Sequence, residues 1–210
     1  MSNNYSTVDK LLSLIKLEPT DIVNLYQYGS RVYGTFNEKS DWDYTVIVKG
    51  NSYSQKNTLK YENFDINFYG KTEFEKEISE YSLKALELIF LPSNFVPIQN
   101  IDYKKNFKKD SKKIAKSVLE ISKKTWKSSE IHWNLNKFHK AKKKIFHTIR
   151  NLLFGIQILK KGTIDNYEEG NIYFKEIMKD KFKNFEEIKQ KYFKIVKNLM
   201  NEIEKLSKEK

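Results

Sequence analysis

The chain has 210 residues, of which 39% are hydrophobic and 14% aromatic, so it can build a core and is too apolar for wholesale disorder. It contains no cysteine, which excludes disulfides, thiolate metal sites and cysteine nucleophiles; no apolar run approaches the ~20 residues of a membrane span, and the start, MSNNYSTVDK, has no apolar signal core. The formal charge of +12 is uneven, with 10 Lys+Arg against 13 Asp+Glu in residues 1–100, 16 against 4 in residues 101–150, and 13 against 10 in residues 151–210.

In chain order, residues 7–18 read as a short amphipathic helix with Val8, Leu11, Leu12 and Ile15 on one face, stopped by Pro19. Residues 22–28 form a strand running into Gly29, and the turn-rich stretch 30–40 follows. Residues 41–49 (DWDYTVIVK) are strongly β-forming, and a further strand spans about 59–69. Residues 72–85 read as a helix opened by a Thr72/Glu75 capping box. Residues 86–97 contain two of the three prolines and mark a helix end and a bend. Beyond them the pattern is helical, at about 106–126, 131–161 and 184–208. The fold expected is α+β: a small mixed-sheet core over 1–97, then a basic helical domain over 98–210.

The chemistry concentrates around Gly29-Ser30 and Asp41-Trp42-Asp43. Side chains alternate along a strand, so Asp41 and Asp43 point one way while Trp42, Tyr44 and Val46 point the other. Neighbouring carboxylates repel, and a divalent cation such as Mg²⁺ is the usual compensation. Asp65, alternating with Phe64 and Ile66 on the next strand, supplies a third carboxylate that could join the metal site and accept a proton. The Gly29-Ser30 turn would offer backbone N–H groups and a hydroxyl to phosphates. A capping role explains Asp41 alone; the ordered set of strand, Gly-Ser, ten-residue gap, D-x-D and a following Asp is much harder to explain that way.

These residues resemble the polymerase-β nucleotidyltransferase superfamily. GSRVYGT followed by SDWDY is similar, more narrowly, to nucleotidyltransferases associated with RNA ligases and RNA repair. Asp65, the segment LELIFLP at 86–92, KIFHTIR at 144–150 and ILKKG at 158–162 extend the resemblance over roughly residues 25–165, although residues 71–86 look shorter and more acidic than the family pattern. The resemblance implies catalysis and metal binding by Asp41, Asp43 and Asp65, with two Mg²⁺ ions (or Mn²⁺) as cofactors. It also implies nucleotide contacts from Gly29, Ser30, Arg31, Tyr33, Lys144, His147 and Arg150.

Over 138–159, Phe138, Ala141, Ile145, Ile149, Leu152, Ile156 and Leu159 make a core stripe, flanked by a cationic band of Lys140, Lys143, Lys144, His147 and Arg150. Such a band suits a triphosphate or an RNA backbone, and equally a solvated helix face. The three histidines, seven and eight residues apart, do not have zinc-site spacing, and Trp126 and Trp133 are expected in packing more than in base stacking. The combined expectation is a soluble, cytoplasmic enzyme moving an NMP from an NTP, ATP by default, onto an RNA end. The alternatives are transfer to a protein or small-molecule hydroxyl, or a non-catalytic RNA-binding module of the same fold.

Overall fold

A computed structural model of the chain describes residues 3–50 and 58–209. The chain divides into two compact units: one runs to Glu80 and resumes over Leu88–Phe107, and the other takes Tyr81–Glu87 and continues from Lys108. Compared with a division after residue 97, residues 81–87 lie with the helices and residues 98–107 with the sheet. The contacts explain both assignments. Phe107 packs edge-on against Phe90 at 5.2 Å, while the Tyr167 hydroxyl donates to the Glu87 carbonyl at 2.7 Å.

The sheet unit contains α1 (Asn3–Ile15), β1 (Ile22–Tyr28), β2 (Trp42–Val48), β3 (Thr58–Tyr61), β4 (Phe64–Gly70), α2 (Lys71–Ser79) and β5 (Ile98–Gln99); α3 (Leu83–Ile89) straddles the division. The strands lie in the order β3-β4-β2-β1-β5, with β2 and β4 parallel and the other pairs antiparallel. Together with the helices that follow, this mixed sheet makes the fold α+β.

One face of the sheet buries Leu25, Tyr44, Val46, Val48, Phe64, Ile66 and Phe68 beneath Leu11, with Val8, Leu12 and Ile15 packed alongside. The period-2 alternation of β2 and β4 thereby leaves Asp43, Asp65 and Asn67 on the opposite face. The far end of that second face is closed by aromatics: Phe74 lies 5.9 Å from Tyr26, 5.8 Å from Tyr69 and 5.4 Å from Tyr103.

Residues 59–69 are a hairpin and not one strand. The chain reverses at Glu62-Asn63, pairing Lys60 with Asp65 and Tyr61 with Phe64. Glu62 takes the left-handed backbone at φ +49°, a conformation that costs a non-glycine residue about 1–2 kcal/mol and leaves no glycine signal in the sequence. The capping box at Thr72 does not form: Gly70 holds the N-cap position of α2 without a side-chain cap, and Glu75 faces Lys71 and the Tyr103 hydroxyl. The short β5 had no sequence signal; it is held against β1 by Asn24, whose side chain accepts from the Asn100 and Ile101 amides and donates to the Ile101 carbonyl.

The helical unit contains α4 (Ser111–Asn134), α5 (Phe138–Lys161), α6 (Asn171–Lys179), α7 (Phe185–Ile188) and α8 (Lys194–Leu206), the last two joined by a π turn over Lys189–Phe193. Asp110 caps α4 by accepting from the Lys113 amide. α4 continues past the expected break at 126–131 because Trp126 and Trp133 pack on Phe185, at 6.0 and 6.4 Å. Gly162, at φ +74°, ends α5 with its amide donating to the Ile158 carbonyl. Within α5, Gly155 lets the helices approach closely: a Cβ there would lie 2.6 Å from Val118 of α4 and 2.9 Å from Ile203 of α8. Among the described residues no helix is long and apolar enough to cross a membrane.

Candidate active site

β1 delivers the chain into Gly29, whose φ of +81° only glycine adopts without strain. Tyr28 is paired with Asp43 across β1 and β2, so the turn that follows lies directly against the Asp43 carboxylate. A Cβ on Gly29 would sit 2.0 Å from Asp43 Oδ2 and 2.6 Å from its Cγ, so the position needs glycine for space as well as for conformation. The turn continues as a short 3-10 segment, with the Val32 and Tyr33 amides donating to the Gly29 carbonyl and the Thr35 amide to that of Ser30.

The parallel register of β2 and β4 places Asp43 beside Asp65 and Thr45 beside Asn67. Asp41 precedes β2 by one residue and is exposed, while Asp43 and Asp65 are half-buried. The Asp43 carboxyl is pushed up to about 6, first by burial and then by the negative charges of Asp65 and Asp41; the Ser30 backbone N–H and the Lys60 ammonium oppose the rise. The Ser30 amide, expected on phosphate, thus donates to Asp43. Behind the carboxylates Asn67 donates to the Tyr28 hydroxyl and accepts from that of Thr58.

Arg31 braces the loop between the two motifs. Its guanidinium lies 3.9 Å from the centre of the Trp42 ring and 5.2 Å from that of Phe36, and Nη2 donates to the Ser40 carbonyl at 2.9 Å. Tyr33 is buried in the same loop. Lys144, His147 and Arg150 belong to the helical unit, on α5, where the cationic band divides. Lys140 and Lys143 are exposed, whereas Arg150 is buried with its guanidinium over Phe146 and Phe154. Burial holds the His147 imidazole well below its usual range, helped by the charges of Arg150, Lys144 and Lys143, so it is neutral at pH 7. Phe138, expected in the core stripe, is exposed at the start of α5, while Ala141, Ile145, Ile149, Leu152, Ile156 and Leu159 are buried.

Lys60 was not anticipated. It reaches from β3 to Asp65 Oδ2 at 2.7 Å, and reading residues 59–69 as one strand concealed the pairing. As placed, no three His, Cys, Asp or Glu side chains among the described residues enclose a metal ion, with Asp65 held by Lys60 and Asp41 out in solvent. The donor chemistry fits a hard divalent cation, because three carboxylates share one sheet end and their mutual repulsion already raises Asp43.

A family profile described as a nucleotidyltransferase domain matches residues 8–148, which include Gly29, Ser30, Asp41, Asp43, Lys60 and Asp65, while Arg150 lies just beyond the matched stretch. No curated protein matches the chain at the level of sequence. Among solved structures, spectinomycin adenyltransferase AAD(9) from Enterococcus faecialis, determined with ATP and spectinomycin, is similar with a TM-score of 0.52 at 11% identity, over 96% of this chain and 100% of that one. A nucleotidyltransferase-like protein from Exiguobacterium sibiricum 255-15 aligns over 95% of this chain and 73% of that one, at 11% identity and a TM-score of 0.37. With a nucleotidyltransferase profile over two thirds of its length, the chain belongs to the nucleotidyltransferase domain family.

Proposed function

We propose that this enzyme transfers an NMP from an NTP, ATP by default, to a hydroxyl at an RNA end. The observation that carries the chemistry is the pairing of Asp43 with Asp65 on parallel strands, with Asp43 pressed against Gly29. In the reaction the acceptor oxygen bonds to the α-phosphorus, the bond to the β-phosphate oxygen breaks, and pyrophosphate leaves. Asp65 accepts the acceptor's proton. The Ser30 hydroxyl donates to the phosphates, while its amide keeps Asp43 oriented. Asp41, Asp43 and Asp65 would hold a divalent cation such as Mg²⁺, which when bound supplies charge compensation to the phosphates and the leaving group. The expected nucleotide roles of Lys144, His147 and Arg150 rest on the family resemblance.

For the acceptor, the supporting feature is α4. Lys112, Lys116, Lys123 and Lys127 recur at spacings of four, seven and four, so they share one helix face, and all four are exposed. Among the described residues none of the four has an acidic partner within ion-pair distance, and Glu120 at the edge of the face is the acid nearest in register. A cationic track of this kind attracts a phosphate backbone and repels a polycationic small molecule. A second reading, transfer to a small-molecule hydroxyl, is favoured by the whole-chain fold likeness to an enzyme solved with spectinomycin.

The test is incubation with each α-³²P-NTP and Mg²⁺, with a small-RNA pool in one arm and candidate small alcohols and aminoglycosides in another. Label on RNA supports the proposal. Label on a small molecule, with none on RNA, replaces the acceptor and keeps the chemistry.

A further inference from the structure

The ammonium of Lys60 is the one cation in direct contact with the carboxylate cluster among the described residues. Its placement is set by the fold. The tight reversal at Glu62-Asn63 fixes the register that puts Lys60 across from Asp65, and β4 fixes Asp65 beside Asp43. The ion pair is short, 2.7 Å between Nζ and Asp65 Oδ2, although the lysine side chain is 71% exposed and free to choose other directions. Asp65 is 21% exposed, so one of its carboxylate oxygens is occupied on the side that stays open to solvent. The Lys60 ammonium also feels the charges of Asp41 and Asp43, which places it within the field of all three acids.

We propose that Lys60 is a built-in counter-ion of the carboxylate site, competing with the divalent cation for Asp65 so that the two occupy it alternately. The inference rests on the metal-assisted transfer reading and adds a residue that no nucleotidyltransferase motif of this sequence contains. Without metal, the ammonium offsets part of the repulsion among Asp41, Asp43 and Asp65. When a divalent cation binds, Lys60 leaves Asp65 and swings out, a motion its exposed side chain makes with little hindrance. The consequence is a weakened intrinsic metal affinity, so that the site fills best when a nucleotide arrives with its own metal-bound phosphates.

The experiment is Mn²⁺ titration of the full chain followed by electron paramagnetic resonance, without nucleotide, in the native protein, Lys60→Met, Lys60→Arg and Lys71→Met. Lys71 lies in the same unit and pairs with Glu75, so it controls for the loss of one surface charge. An exposed ion pair of this kind corresponds to a change of about two- to fivefold in a dissociation constant. The expected result is Mn²⁺ binding tighter by about that factor in Lys60→Met, with Lys60→Arg and Lys71→Met close to native. Equal affinity in Lys60→Met and native protein, or an equal gain in Lys71→Met, overturns the competition while leaving the metal reading intact. Absence of Mn²⁺ binding in every variant, Lys60→Met included, overturns both. Because Lys60 lies on an exposed edge strand, circular dichroism of the Met variant is expected to match native.

Discussion

Gly29 and Asp43 act as a pair: the glycine leaves the space that the carboxylate fills, and the carboxylate sits where its neighbours make it unstable. With its carboxyl pushed up to about 6 from 3.8 by burial, Asp65 and Asp41, Asp43 contributes stability in full below about pH 4, and that contribution is lost as the pH rises through 6. In chelator at pH 7.5, Asp43→Asn is therefore expected to be more stable than native by about 1–2 kcal/mol, the shift being discounted for partial solvent screening. At pH 4 the two should coincide, and urea unfolding at both pH values checks this. Gly29→Ala goes the other way. Positive φ alone costs about 1–2 kcal/mol and the added methyl collides with Asp43, so the urea midpoint should fall by at least that equivalent. These residues were legible in the sequence because Gly-Ser and D-x-D are local patterns with local geometry. Lys60 was not, because its role depends on a turn built from Glu62 and Asn63, neither of them a glycine.

At the scale of elements, the parallel pairing of β2 with β4 does most of the positioning, since it sets Asp65 level with Asp43. Alternation of apolar and polar residues gave β2 and the face it buries, whereas the start of β4 was hidden because the reversal at Glu62-Asn63 interrupts what reads as one strand over 59–69. The helix boundaries were harder to read. α4 runs on to Asn134 because two tryptophans find aromatic partners on α7 and beyond, a tertiary effect that overrides local signals. α6 is only nine residues long and gave no separate signal. Gly155 is the corresponding hidden feature of α5. Alanine is the better helix former by about 1 kcal/mol, yet its methyl would press on Val118 and Ile203, and overpacking costs about 1–3 kcal/mol. Gly155→Ala is thus expected to be net destabilising, read from the urea midpoint; a stabilised variant would mean the helices separate easily there.

For the whole molecule, the uneven charge has a definite location in part: the exposed lysines of α4 present one cationic face, whereas Arg150 and His147 of the neighbouring helix are enclosed. The count of basic residues in 101–150 was readable from sequence, but which of them are solvated depended on packing. If the α4 face carries RNA, Lys116→Ala/Lys123→Ala should weaken binding of a single-stranded RNA and lower the slope of log affinity against log salt by about 1.4, at about 0.7 per phosphate contact. An unchanged slope would move the RNA elsewhere or remove it as the acceptor.

The central claim, that the Asp43–Asp65 site performs nucleotidyl transfer, is tested most directly by pyrophosphate release from NTP with Mg²⁺ and acceptor, comparing native protein with Asp43→Asn. The substituted protein is expected to be folded, so loss of activity is not loss of structure. The account predicts pyrophosphate formed in equal amount to NMP incorporated, and a fall of at least about 10²-fold in Asp43→Asn, the scale seen when an electrostatic stabiliser of a transition state is removed. Pyrophosphate release at the native rate in Asp43→Asn would contradict it.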